Sequence, residues 1–163
     1  MFESFYPGMS WAEHRATWPH AQHSRFVQAG GIHWHVQTLG QGPCMLLLHG
    51  TGSGNFSWRG LLPLLAEHFT VVAPDLPGHA FTSRGPKDAL SLTGMSAGLC
   101  ALMVQLNLRP QVLVGHSAGA AIAAHMALHH TNLTRHSTLI GLNPAWLPLP
   151  GLASWVLGPA AKL

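Results

Sequence analysis

The stretch that most constrains this chain runs from Val112 to Ala124 and reads Val-Leu-Val-Gly-His-Ser-Ala-Gly-Ala-Ala-Ile-Ala-Ala. Its aliphatic start predicts a strand, its alanine-rich end predicts a helix, and Gly115-His116-Ser117-Ala118-Gly119 predicts a sharp turn between them. The two glycines carry no Cβ, so strand and helix can approach closely around the serine. Ser117 is therefore a candidate nucleophile. The alternative is a glycine-serine turn in an ordinary strand–helix unit.

A second glycine-rich turn lies upstream of this stretch. The apolar run Leu46-Leu47-Leu48 stops at His49-Gly50 and opens into Thr51-Gly52-Ser53-Gly54. Acyl transfer needs two backbone N–H donors that converge on the oxyanion, and we expect Thr51 and Ala118 to supply them. A phosphate-binding loop is excluded because the Gly-Lys-Ser/Thr ending of such loops is missing.

Three motifs in this order resemble the α/β-hydrolase superfamily: His49-Gly50, Pro74-Asp75-Leu76-Pro77-Gly78-His79 and Gly115 to Gly119. A narrower resemblance covers nearly all of the chain from about Trp18 onward, and it is to the magnesium-chelatase accessory hydrolases of bacteriochlorophyll biosynthesis. The segments that carry it are Trp18-Pro19-His20, His23-Ser24-Arg25-Phe26-Val27, Gly30-Gly31, Trp34-His35-Val36-Gln37, Thr51-Gly52, Ser57-Trp58-Arg59 and Gly115 through Ile122.

The alternation of strands and helices predicts one α/β domain with a mostly parallel sheet and helices on both faces. The resemblance implies the α/β-hydrolase fold, with residues 24–144 forming strands one to six of the eight in the family. Residues 1–23 would be an N-terminal arm, and residues 145–163 the start of a cap region. The last two strands are expected to be missing, either because the gene product is truncated or because the chain is a fragment.

Local patterns place the individual elements. Strands are predicted over 24–27 and 32–37, as a hairpin around Gly30-Gly31, and then over 44–48, 70–73, 112–114 and 137–142. Ser91 is predicted to cap a helix that closes at Asn107. Another helix is predicted from the spacing of Trp58, Leu61, Leu62 and Leu65, with Pro63 in its first turn or kinking it.

A serine hydroxyl becomes a strong nucleophile only when a histidine takes its proton and a carboxylate orients that histidine. The family order is serine, acid, histidine, but no Asp or Glu follows Asp88 in this sequence. The triad is therefore expected to be incomplete. His116 adjoins Ser117 but should point to the opposite face. Asp75 is interpreted as a carboxylate that anchors a loop, with a pairing to His79 as the alternative.

The candidate substrate-pocket residues are His49, Gly50, Gly52, His116, Trp58 and Trp146. For His49 and His79 we favour a role in shaping loops. No metal site or cofactor is expected, because the remaining histidine groups lack Cys, Asp or Glu companions. These groups are His125 with His129, His33 with His35, and His14 with His20 and His23. Ala80 stands where the family pattern has glycine, and positive φ there would cost roughly 1 kcal/mol.

The composition narrows the possible partners. The eight basic residues are scattered, so nucleic-acid binding has almost no support. No signal peptide and no membrane span is recognised. Cys44 and Cys100 are interpreted as small apolar residues rather than a disulfide, which favours a cytoplasmic location. The uncharged strand 137–142 should expose one edge, which predicts self-association.

Three functions stay open at this point. The first is a serine hydrolase acting on ester-like bonds of a small-molecule substrate. The second, implied by the resemblance and favoured by the incomplete triad, is an accessory protein for magnesium insertion, with a porphyrin and magnesium-chelatase subunits as possible partners. The third is a nonfunctional fragment.

Overall fold

The computed structural model describes residues 10–145, in which six strands form one sheet. In chain order they are β1 (Ser24–Ala29), β2 (Ile32–Leu39), β3 (Cys44–Leu48), β4 (Thr70–Pro74), β5 (Pro110–His116) and β6 (Thr138–Leu142). Their order across the sheet is β1-β2-β4-β3-β5-β6. The pairs β1–β2 and β2–β4 are antiparallel, and the other three pairs are parallel. This confirms the predicted mostly parallel sheet and its leading hairpin.

Five α-helices accompany the strands of the described chain: α1 (Trp11–His14), α2 (Leu62–Ala66), α3 (Leu92–Gln105), α4 (Ala118–His129) and α5 (Thr131–Thr134). Two 3₁₀ segments lie at Ala21–His23 and Asn55–Trp58. Ser91 begins α3 as predicted, and its hydroxyl accepts a hydrogen bond of 3.0 Å from the N–H of Gly94. Within residues 10–145, the helices are all too short or too polar to cross a bilayer.

Side chains of the central strands alternate between two apolar layers. Leu46 and Leu48 of β3 belong to one cluster, which residues of α3 and α4 complete. Met45 and Leu47 belong to another, which α2 and the segment Asn55–Trp58 complete. All five residues of β3 are buried, as is typical of a parallel strand covered on both faces. The sheet is therefore held between helices, which fixes the ends of its strands in space.

The predicted helix after residue 57 is wrong in detail. The chain forms the 3₁₀ segment Asn55–Trp58, a turn, and then the short helix α2. Pro63 lies in the first turn of α2, where its missing N–H costs no intrahelical bond, whereas in a helix that began several residues earlier its ring would clash with the preceding turn. Leu61 is 45% exposed and does not join the apolar face.

The segment before β1 packs closely on the sheet from Trp11 onward. The indole rings of Trp11 and Trp18 lie edge-on to the ring of Phe81, with centroids 5.0 and 4.8 Å away. His20 Nε2 lies 2.7 Å from the carbonyl oxygen of Arg59. The edge-on pairs of Trp11 and Trp18 with Phe81 contribute about 1 kcal/mol each beyond the burial of apolar area. These contacts attach the segment to the loops that follow β3 and β4.

Ala80 has φ 43°, so this position adopts the left-handed conformation. That conformation favours glycine, which the family pattern has here. We expect Ala80→Gly to raise the free energy of unfolding by about 1 kcal/mol, because glycine lacks the Cβ that disfavours this backbone. Urea unfolding followed by tryptophan fluorescence measures the change. Ala97→Gly, at an exposed position inside α3, is the control and should lower the free energy of unfolding by about 1 kcal/mol. A loss of stability in both variants would contradict the prediction.

Candidate active site

Ser117 lies at the apex of the predicted strand–turn–helix unit, between the last residue of β5 and the first residue of α4. Its backbone has φ 52° and ψ −118°, a conformation that is strained for any residue with a Cβ. The surrounding structure holds it there: its N–H donates to the carbonyl of Leu142 at 3.0 Å, and its carbonyl accepts from Ala120 and Ala145 at 3.1 Å each. Strain of this kind persists where tertiary contacts enforce it, as they often do at functional sites.

The two glycines around Ser117 are required by close backbone approach. A Cβ built on Gly115 would lie 2.3 Å from the Cα of Ala120, and one built on Gly119 would lie 2.3 Å from the carbonyl oxygen of Leu48. Both distances are far inside van der Waals contact. Helix α4 therefore begins directly against the ends of β3 and β5. Its first N–H groups, which have no acceptor within the helix, lie at the same edge of the sheet as Ser117.

The turn after β3 meets the Ser117 turn through Gly50. A Cβ on Gly50 would lie 3.2 Å from the Cβ of Ser117 and 3.1 Å from Nδ1 of His116, so the two turns are in contact. The chain continues from Gly50 to Thr51 and Gly52, both exposed. The structure thus brings together four of the predicted site residues, since Gly50, His116, Ser117 and Ala118 lie at one place and Thr51 follows directly.

His49 is buried beneath this contact and shapes the loops, as favoured from the sequence. Its side chain is 0% exposed. Nδ1 donates to the carbonyl of Gly50 at 2.8 Å, and Nε2 accepts from the N–H of Leu76 at 2.9 Å. Burial, opposed by the hydrogen bond to Gly50, lowers the pKa of His49 to about 4. The imidazole is therefore neutral at pH 7, with both nitrogens occupied by the backbone, and cannot take a proton from substrate without breaking a loop contact.

A cleft of about 300 Å³ opens beside the turn that carries Thr51. The residues that line it are Trp18, Gly52, Ser53, Phe56, Gly78, His79 and Ala80. Ring edges of Trp18 and Phe56 meet at a centroid distance of 5.3 Å and form an apolar wall. Of this group, sequence reasoning proposed only Gly52 as a pocket residue. Trp18 comes from the arm, Ser53 and Phe56 come from the loop after β3, and the other three residues come from the loop after β4.

Two further pocket candidates have other outcomes. Trp58 is 4% exposed and packs with Leu47 and Val71 in the apolar layer on one side of the sheet, so it does not line the cleft. Its place as a pocket residue is corrected accordingly, because the indole is buried in the apolar core. Trp146 lies outside the described residues.

Asp75 anchors loops as predicted, but its histidine partner is different from the alternative considered. His35 Nδ1 lies 2.7 Å from Asp75 Oδ2, and both side chains are 0% exposed. Nδ1 of His79 instead faces the carbonyl of Pro77 at 3.1 Å. Sequence reasoning treated His35 as a packed histidine beside His33. Strand alternation gave no signal, because it places His35 on the same face as the exposed His33 and opposite Trp34 and Val36.

The sequence from residue 43 to 156 matches the family model described as alpha/beta hydrolase fold, and the chain belongs to this family. Among curated proteins, it is 35% identical over 149 residues to the magnesium-chelatase 30 kDa subunit of Rhodobacter capsulatus, which covers 90% of this chain and 51% of that protein. The chain thus spans about half the length of this relative.

Two more similarities agree with the family. A pimeloyl-[acyl-carrier protein] methyl ester esterase of Vibrio vulnificus is 33% identical over 113 residues, which are 69% of this chain and 41% of the esterase. The crystal structure of an epoxide hydrolase from Vigna radiata superimposes with a TM-score of 0.62 at 30% identity, covering 68% of this chain and 36% of that one.

His49 makes stability depend on pH. Because its folded pKa of about 4 lies below the ordinary value of 6.5, the unfolded chain binds more protons between these two pH values. The stability that the neutral His49 contributes is complete above pH 6.5 and is lost as the pH falls toward 4. Between pH 7.5 and pH 5, we expect the free energy of unfolding of His49→Gln to fall by roughly 2 kcal/mol less than that of the unmodified chain. Urea unfolding at each pH measures the difference.

His68→Gln provides the matched control, because His68 is exposed on the surface and solvated in both states. It should keep the pH dependence of the unmodified chain. If His49→Gln and His68→Gln show the same pH dependence as the unmodified chain, burial of a neutral His49 does not govern the acid sensitivity.

Proposed function

We propose that this chain carries the nucleophile and the oxyanion donors of a serine-hydrolase site, held in a protein that assists magnesium chelatase in bacteriochlorophyll biosynthesis. The observation that carries the proposal is the backbone of Ser117, with φ 52° and ψ −118° between β5 and α4. This backbone supports a nucleophile elbow, a turn in which a serine hydroxyl is lifted clear of the sheet. Ser117 is the proposed nucleophile.

The proposed oxyanion donors are the N–H groups of Ala118 and Thr51. Ala118 is the first residue of α4, where N–H groups lack an acceptor within the helix and the helix dipole favours negative charge. Thr51 follows Gly50, which is in contact with Ser117. Donors fixed in advance around a developing oxyanion usually supply the largest part of the rate enhancement in acyl transfer.

No general base is assigned to this site. The sequence has no Asp or Glu after Asp88, so the family order of serine, acid and histidine is not contained in it. The buried carboxylate nearest to the site loops, Asp75, is engaged with His35. His49 is neutral and held by two backbone groups. These observations favour a site that binds a small molecule over one that turns it over rapidly.

The accessory role rests on the similarity to the magnesium-chelatase subunit over most of the chain. Magnesium-chelatase subunits are the proposed protein partners, and a porphyrin or a small ester the proposed ligands. The cleft of about 300 Å³ is at the lower limit of ordinary ligand sites, so within the described residues it fits part of a porphyrin or one small acyl group. A cytoplasmic location is proposed from the two free, buried or half-buried thiols.

The second candidate function is an active ester hydrolase. The esterase similarity and the geometry of Ser117 support it. It requires an acid and a histidine from outside these 163 residues or from another chain.

We expect the 163-residue chain to hydrolyse p-nitrophenyl acetate barely above background and to react slowly or not at all with a fluorophosphonate. Without its base, a serine site retains only about 10³-fold of rate enhancement, from the oxyanion hole and binding. Ser117→Ala should change this background little. Initial rates and intact-mass measurements of labelling check both statements.

Thr93→Ala, which removes an exposed hydroxyl on α3, is the control. Robust hydrolysis that Ser117→Ala abolishes and Thr93→Ala leaves intact would establish the second candidate function instead. Saturable quenching of tryptophan fluorescence by protoporphyrin, without hydrolysis, would support the accessory role.

The proposal also includes self-association through β6. Within the described residues β6 pairs only with β5, it carries no charged side chain, and Ile140 and Leu142 are 41% and 39% exposed. Uncharged edges of this kind pair with other chains. We expect sedimentation velocity at roughly 10–50 μM, where exposed edges associate, to show dimers or larger species. Ile140→Lys should shift the distribution toward monomer.

Leu64→Lys adds the same charge on α2, which packs against β2 and β4 rather than β6, at a side chain that is 61% exposed. It should leave the association unchanged. A monodisperse monomer for the unmodified chain, or equal effects of the two lysine variants, would exclude pairing through β6.

A further inference from the structure

The buried carboxylate of Asp75 collects hydrogen bonds from three separate parts of the chain. Oδ1 accepts from the N–H of Asn55 at 2.6 Å. Oδ2 accepts from Nδ1 of His35 at 2.7 Å and from the N–H of Phe81 at 3.3 Å. Since Asp75 is 0% exposed, these donors replace the water that its two oxygens would bind at the surface.

The loops after β3 and β4 are joined in both directions. Asp75, at the end of β4, accepts from Asn55 in the loop after β3. His49, at the end of β3, accepts from the N–H of Leu76 in the loop after β4. Each loop therefore provides a buried acceptor for a backbone N–H of the other. A shift of either loop would leave a buried donor and a buried acceptor without partners, which is costly.

The loop that carries Thr51 is consequently fixed at its two ends. At one end Gly50 is in contact with the Ser117 turn, and at the other Asn55 is bound by Asp75. Gly54 lies so close that a Cβ there would be 3.0 Å from Asp75 Oδ1. We infer that Asp75 is a positioning residue, which places the N–H of Thr51 for oxyanion binding by holding this loop at Asn55. The inference rests on the proposed function, in which Thr51 is an oxyanion donor.

His35 and Trp18 complete this positioning network. His35 donates a hydrogen bond from its Nδ1–H to the carboxylate, and its ring centroid lies 4.8 Å from that of Trp11, beneath the arm. Its Nε2 is buried and has no hydrogen-bond partner among the described residues. Trp18 donates its indole N–H to Oδ1 of Asn55 at 3.1 Å. The arm thus contacts both the carboxylate's partner and the loop, which makes it part of the site's support.

The test measures the loop directly by NMR in the full 163-residue chain. Asp75→Ala should speed hydrogen exchange at the N–H of Asn55 about 10- to 100-fold and shift the amide resonance of Thr51. Asp75→Asn keeps one side-chain oxygen as an acceptor. Its exchange rate at Asn55 and its Thr51 resonance should therefore stay close to those of the unmodified chain. Asp88→Ala, which removes an exposed carboxylate, should change neither.

A second pair of variants applies if Asp75→Ala does not fold. Gly54→Ala introduces a Cβ against Asp75 Oδ1, so it should speed exchange at Asn55 and shift Thr51 while leaving the carboxylate in place. Gly60→Ala, in the same connection but with open space around the new Cβ, should have no effect.

The inference is overturned if the resonance of Thr51 and the exchange at Asn55 do not respond to these variants. It is also overturned if exchange rises equally at Leu46 and Leu47 of β3, because that result would show a general loss of stability. The two readouts do not involve Ser117 chemistry. Robust hydrolysis that Ser117→Ala abolishes, together with the expected local changes, would replace the proposed function by the second candidate and leave the loop positioning intact.

Discussion

The close approach of β5, β3 and α4 is the constraint on which the candidate site depends. At Gly115 and Gly119 the backbones are so near that a single Cβ would overlap neighbouring backbone atoms. This contact leaves Ser117 no relaxed conformation, and the hydrogen bonds to Leu142, Ala120 and Ala145 hold the strained one. The energy for this strain comes from the apolar layers on both faces of the sheet, which fix where the strands end. The reactive position is thus a consequence of packing that lies mostly beneath it.

A second constraint is the exclusion of water from the polar groups below the site. Asp75 and His35 are fully buried, and neither could remain so without the other and without the backbone donors around them. His49 meets the same condition differently, since burial keeps it neutral and the backbone occupies both its nitrogens. Three polar side chains therefore organise loops and are not free for proton transfer. This division explains how the chain can hold a well-formed serine turn while its own described residues offer no evident base.

Membership in the alpha/beta hydrolase family and the similarity to the magnesium-chelatase subunit are two levels of similarity. The family accounts for the mostly parallel sheet between helices. The subunit similarity covers 90% of this chain, which is more than the family match over residues 43–156. Within the described residues, the arm packs over His35 and supplies Trp18 to the cleft.

The sequence by itself determined the order of strands and helices, the cap at Ser91 and the serine turn. All of these depend on side-chain periodicity and on glycine at particular positions, which are local properties. At Ala80 the family pattern of glycine only raised the question of a positive φ, and the structure supplied the value of 43°. Only the tertiary structure decided that Asp75 pairs with His35 and that Trp58 lies in the core. Residues 40 positions apart in sequence meet there because strands pair side by side, and no local pattern specifies which of several histidines a buried carboxylate will face.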